Sequence, residues 1–323
     1  MGAKHIREVL LVPIFTKKCN VCRRISLYFR RMSFVKGIFF GCLAGICYGT
    51  NPLGALKLYD YGFSPETVLC YRFAFAAILL GVTLIACRLP FKVNRREFGV
   101  LLLLGFLFAV CAQTLYASFN FMDAGLASTL LFLYPLEVAV IMGLFFKEKL
   151  RAKTAISIAV SLAGLALLYR GGEGGVALST VGLLLVFVSS LSYAIYIVVV
   201  NRARFLTSSV KITFYVVTFC LFFMLLYATF FGSGFPPLPS TPGQWGWGLM
   251  IGFVPTYLSL VFMAKAIKIV GSTPTAITGA LEPLTAVCIG VFVFGETMTL
   301  RLALGIVLIL ASVLLITVRR TSK

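Results

Sequence analysis

The chain is a succession of long apolar runs separated by short polar ones. Ten runs, each close to the length needed to cross a hydrocarbon layer about 30 Å thick as a helix, fall at residues 34–58, 65–87, 98–119, 124–146, 152–169, 180–200, 209–231, 245–266, 275–294 and 300–318. The runs are continuous, without the alternation of a membrane barrel, so the pattern predicts an all-α membrane protein of ten transmembrane helices. Short connections make successive helices antiparallel neighbours. The longest, 232–244, carries Pro236, Pro237, Pro239 and Pro242 and is predicted to be ordered and non-helical.

One pattern inside these runs occurs twice. Tyr134-Pro135 leads to Glu148 and Glu282-Pro283 leads to Glu296, with thirteen residues from proline to acid in both copies and 148 residues between copies. The intervening residues are apolar apart from Glu137 and Lys147 in the first copy and Thr285 in the second. Tyr48 and Tyr193, and Gly105 and Gly252, also correspond, as do the entries at Gly125 and Gly271 if a two-residue gap is allowed. The chain therefore reads as two related halves, 34–170 and 179–320, joined by a glycine-rich linker at 171–178. Five spans per half is an odd number, so the second half enters the membrane from the opposite side. The expected fold is an inverted 5+5 repeat.

Composition supports this reading. Apolar residues make up 60% of the chain and charged residues 12%, too few charges for a soluble domain of 323 residues. The net charge of +19 suggests nucleic acid until its distribution is considered. With the amino terminus inside, 25 basic residues fall on the inner side against 3 outside, which predicts cytoplasmic termini, a plasma (inner) membrane location and no nucleic-acid partner. Nine of the basic residues lie before residue 37. Residues 1–33 thus read as a basic cytoplasmic tail, and Met32, directly before the first span, is an alternative start site. Cys19 and Cys22 lack two further ligands, and His5 is the single histidine, so neither metal nor cofactor is expected.

These features resemble the EamA-type branch of the drug/metabolite transporter superfamily, over about residues 34–320. The second copy, from Leu281-Glu282-Pro283 to Gly295-Glu296, matches the family pattern closely. The first departs from it at Tyr134, Glu137 and Lys147. The resemblance implies carriage of small metabolites, with amino acids, nucleotide derivatives and sugar-related compounds all within the family's range.

Several residues are candidates for a site between the halves. Pro52, Pro135 and Pro283 each remove a backbone donor within a span, and freed carbonyls at membrane depth are tolerated only beside protein or a water-filled cavity. Simple bending of helices to fit is the alternative. Glu137, Glu282 and Arg72 are ionisable residues inside spans, at depths of about 21, 10 and 9 Å along their helices. The acids can couple a proton or hold a substrate amine, and Arg72 can hold a ligand. A structural alternative is an Arg-Glu lock between helices. Tyr48, Tyr116, Tyr193, Tyr196 and Tyr257, with Asn51 and Gln113, add deep polar groups able to stack on and bond a substrate, although each is also ordinary packing. Glu148 and Glu296 stand just before the next helix and are expected to cap it. Glycines 37, 41, 45 and 49 form a stripe along span 1 for close helix approach.

The leading expectation is a secondary carrier working by alternating access, exporting an amino acid or related small metabolite, with a proton as candidate coupling ion. Exchange of sugar phosphates or nucleotide derivatives is the second expectation, disfavoured because Arg72 is the lone deep cation. A non-transporting membrane protein or an intramembrane enzyme is the third. No His-Glu-x-x-His or Gly-x-Ser-x-Gly pattern occurs, so no catalytic residue is expected. Oligomeric state has no signal in the chain.

Overall fold

The computed structural model describes residues 20–146, 156–157, 159–161, 163–164, 167, 179–203, 209–232, 234–270, 275 and 278–317. Among these residues every regular element is helical and no strand occurs. The helices are α1 (Asn20–Gly49), α2 (Asn51–Asp60), α3 (Pro65–Ala86), α4 (Arg95–Ser118), α5 (Ala124–Leu131), α6 (Tyr134–Phe146), α7 (Thr180–Arg202), α8 (Ser209–Phe230), α9 (Pro242–Gly252), α10 (Ser259–Val270), α11 (Leu281–Phe294) and α12 (Leu300–Thr317). A π-helical segment, Phe253–Leu258, joins α9 to α10. Seven helical units are long and apolar enough to span a membrane, and Leu281–Phe294 and Leu300–Ser312 are shorter apolar helices. The protein is an integral, multi-pass membrane protein. The predicted span at 152–169, the linker at 171–178, and Lys147, Glu148 and Gly271 lie wholly or largely outside the described residues.

Local sequence accounts for where the helices begin and break. Asn94 and Glu97 form a capping box at the start of α4, and Thr241 and Gln244 form another at α9. Pro242 occupies the first position of α9, where its missing N–H costs nothing, so this span begins earlier than residue 245. The chain is already helical from Asn20, within the stretch read from sequence as a tail.

The three prolines placed inside spans do more than bend them. Spans 1, 4 and 9 are each broken into two segments, at Thr50, at residues 132–133 and at residues 279–280. Pro52, Pro135 and Pro283 then lie in the first turn of the following helix. Each proline therefore sits at an interruption of its span. A proline disfavours the α conformation of the residue before it and lacks the donor for the turn below, yet fits the opening turn of a new helix.

Packing runs in matched pairs. α4 lies against α7 and α8, while the α9–α10 unit lies against α1 and α3. α6 contacts α7, α11 contacts α1, and α5 and α11 contact each other. Gly105 and Gly252 sit at two such crossings: a Cβ on Gly252 would come 2.6 Å from Phe75 Cβ, and one on Gly105 would press into Phe219. The largest core cluster gathers Leu69, Phe73, Ala112, Tyr116, Leu130 and Ile251 from four helices. The glycine stripe of α1 is in close contact: Gly37 faces Ile269 and Val270, Gly41 and Gly45 face Thr278, and Gly49 faces Glu282 and Thr285.

The connections gather at two ends. At one end Gly243 meets Tyr61, Gly232 meets Glu66, and Gly182 meets Phe121 and Met122. At the other, the Lys211 ammonium donates to the Lys92 carbonyl at 2.5 Å, and the Tyr215 hydroxyl donates to the Phe91 carbonyl.

Candidate functional site

The break at Thr50 exposes a carbonyl that the sequence around it repairs. Pro52 cannot donate to Tyr48, so the Asn51 side-chain amide donates to the Tyr48 carbonyl instead, at 2.8 Å. The π segment repeats the device: Pro255 leaves the Ile251 carbonyl without its helical donor, and the Thr256 hydroxyl donates to it at 3.1 Å. Arg72 joins the two repairs. Its Nε donates to Thr256 Oγ1 at 2.9 Å and its Nη1 to the Tyr116 hydroxyl at 3.1 Å, and that hydroxyl donates to Asn51 Oδ1 at 3.1 Å. The guanidinium also lies against the rings of Tyr48, Phe73 and Tyr116, with centroids 5.3–5.7 Å away. Arg72 is 2% exposed, and its Nη2 has no hydrogen-bond partner. The two bonds that hold Arg72 run to neutral hydroxyls on α4 and the π segment, and Tyr116 carries the chain of bonds on to Asn51 of α2.

The acids occupy a second kind of position. Breaking spans 4 and 9 puts Glu137 in the first turn of α6 and Glu282 in the first turn of α11, at the positive ends of half-helices that begin inside the membrane. Glu137 Oε1 accepts from the Ser190 hydroxyl at 2.7 Å, and its Oε2 is buried without a partner. Glu282 retains part of its surface accessible and lies within electrostatic reach of Arg72. Around them Tyr134 packs edge-on against Tyr193 at 4.7 Å, and Tyr193 stacks on Tyr196 at 5.7 Å.

The structure thus brings Tyr48, Asn51, Arg72 and Tyr116 into one bonded cluster, with Glu282 in its field. Tyr193 belongs to the adjoining aromatic group. Tyr257 does not join the cluster: its hydroxyl pairs with Thr83 at 3.0 Å and its ring stacks on Phe253. Gln113 makes no bond within the cluster, and its Oε1 is buried without a partner. Thr256, Ser190 and Tyr134 were missed as site residues. For Thr256 a signal existed, since Pro255-Thr256 is the same proline-plus-polar pairing as Asn51-Pro52.

Glu296 departs from expectation in a different way. It does not cap α12, the helix that follows it. Its carboxylate accepts from the Ala124 amide at 2.9 Å and the Gly125 amide at 3.4 Å, the free donors at the start of α5. Gly295, with φ of 68°, turns the chain back at the end of α11, and the Glu296 amide donates to the Gly290 carbonyl at 3.0 Å. Burial, and then the charge of Asp123, push the Glu296 carboxyl up to about 7 against the pull of the two amides.

For a metal, no group of three His, Cys, Asp or Glu side chains comes together among the described residues. What the deep cluster offers is a charged donor, carboxylates and aromatic faces, which suit binding more than bond-breaking.

Comparison with known proteins agrees. A transporter named only as uncharacterised, from Archaeoglobus fulgidus, is 34% identical over 196 residues, 60% of this chain and 67% of that one. The uncharacterised transporter YdfC of Bacillus subtilis is 29% identical over 76% of this chain and 79% of its own. One solved crystal structure, whose description names no function, shares the fold with a TM-score of 0.59 at 17% identity, covering 86% of this chain and 95% of that one. The sequence pattern of the EamA-like transporter family matches residues 35–170 and again residues 180–318, and the chain belongs to that family.

Proposed function

We propose that the protein is a secondary carrier that exports an amino acid, or a metabolite bearing the same amine and carboxylate, across the plasma membrane by alternating access between two inverted halves. The observation that carries the substrate class is the pairing of Arg72, buried with Nη2 unused, with Glu282, partly accessible and within its field. A guanidinium suits a substrate carboxylate and a carboxylate suits an ammonium. Tyr48, Tyr134 and Tyr193 supply faces for the rest of the molecule.

The matched packing of α4 with α7 and α8, and of α9–α10 with α1 and α3, supports the inverted repeat. So does the double match of the family pattern, at 35–170 and 180–318. The uneven loop charge supports cytoplasmic termini. Glu137 and Glu282 are the residues on which a coupling proton can ride. Pro52, Pro135 and Pro283 act as the points about which the half-helices move. A sugar-phosphate or nucleotide substrate remains the second reading, and it requires more deep cations than Arg72 alone.

The test is thermal stabilisation of the purified protein by a metabolite panel. A free amino acid at a hundred times its Kd stabilises by about 2.7 kcal/mol. Its methyl ester and its N-acetyl derivative should give little shift, and Arg72→Lys and Glu282→Gln should abolish the response. Stabilisation by a sugar phosphate with none by any amino acid overturns the assignment.

A further inference from the structure

The contact between Glu296 and the start of α5 joins residues 172 apart, one in each half of the chain. Its surroundings are shaped to hold a carboxylate. A Cβ on Gly125 would come 2.9 Å from Glu296 Oε2, and a Cβ on Gly290 would land on the carboxyl group itself. Gly295 supplies the left-handed turn that aims the side chain. Three glycines and two free amides therefore converge on one acid, which belongs to the second half of the chain while its partners belong to the first.

We propose that this contact between the Glu296 carboxyl group and the α5 amides is a gate latch: it holds the second half against the first at the end of the bundle where α11 finishes, and it releases each time the site opens to that end. The proposal rests on the alternating-access reading. On the orientation proposed above, that end is the outer one.

The latch has a built-in response to pH. The charged groups on the elements around it are Asp123 ahead of α5, Lys57 and Asp60 at the end of α2, and Arg301 in the first turn of α12. Lys57 pairs with Asp60 at 3.4 Å and also lies over the Phe294 ring. Asp123 is the one that acts to raise the Glu296 carboxyl, after burial itself. The latched carboxyl titrates at about 7, against an ordinary value near 4.5 for a solvated glutamate. The latched form therefore binds the proton more tightly than the released form. Acid on the outer side holds the gate shut, and raising the pH from about 4.5 towards 7 favours release, with little further change above 7.

Two cysteine reporters test this in proteoliposomes. Ser128→Cys lies one turn below the latch on α5, and Thr278→Cys lies against Gly41 towards the opposite end; both native side chains are 8% exposed. Membrane-impermeant maleimide is applied to each face in turn over pH 5.5–8.5, and modification at positions 128 and 278 is read by mass spectrometry. With Glu296 intact, labelling of Ser128→Cys from the outer face should be slow and, after correction for the thiol's own reactivity, rise between pH 5.5 and about 7 and level off above it. In Glu296→Ala and Gly290→Ala it should be at least about tenfold faster, the loss of roughly one charge-assisted bond, with no pH dependence beyond that of the thiol itself. Glu296→Gln keeps the accepting oxygen and should stay slow without a pH response. Outer labelling that is unchanged in Glu296→Ala, with its pH profile intact, overturns the latch. Faster outer labelling with unchanged inner labelling of Thr278→Cys keeps the latch but overturns alternating access, in which opening one end must close the other.

Discussion

The two copies of the proline-to-acid pattern share a backbone and differ in chemistry. In both, a span breaks just before the proline and resumes as a half-helix. At the position before the proline, however, the first copy has Tyr134, edge-on to Tyr193, and the second has Glu282, partly accessible and in the field of Arg72. Two residues after the proline the roles reverse. Glu137 reaches Ser190, while Thr285 folds back on the Leu281 carbonyl at 2.7 Å. Both acids are part-buried, but one copy places its acid against the Ser190 hydroxyl and the other places its acid in the field of Arg72. The repeated scaffold therefore carries an aromatic residue at this position in one copy and a charged one in the other, and the substrate proposed above draws on that difference.

That contrast can be broken experimentally. Glu282→Gln should have the largest effect, lowering transport about a hundredfold through loss of a charge-assisted bond worth about 2–3 kcal/mol, as measured by uptake into proteoliposomes. Gly49→Ala comes next. The added methyl meets Glu282 and Thr285 and should lower stability by about 2 kcal/mol, read as a fall in Tm. Glu137→Gln should cost about tenfold in transport, because the amide oxygen still accepts from Ser190. An equal loss in the two acid variants would mean that both acids meet the substrate. Smallest is Gly99→Ala, where nothing lies within 4 Å of the new methyl; Tm should stay the same or rise by the equivalent of about half a kcal/mol.

What the sequence disclosed was what is local. Hydrophobic runs located the helices, because each span's apolarity is set by the bilayer and not by its neighbours. The repeat was visible because Pro135 and Pro283 keep their spacing to Glu148 and Glu296. Partnerships were not visible. Arg72 meets Thr256 across 184 residues, and no periodicity encodes that meeting. Glu296 looked like the cap of the next helix because proximity along the chain was the available guide, while Gly295 turned it towards another helix altogether. The bond between Tyr257 and Thr83, 174 residues apart, was equally hidden, because depth along a helix does not say which neighbour a side chain meets.

The interrupted spans have one more consequence. At residues 132–133 and 279–280 the regular ladder of backbone bonds has already been given up in the resting molecule. On the alternating-access reading proposed above, an elbow at 132–133 lets α5 and α6 tilt against each other as intact rods, so that the motion exposes no freshly broken peptide group to lipid.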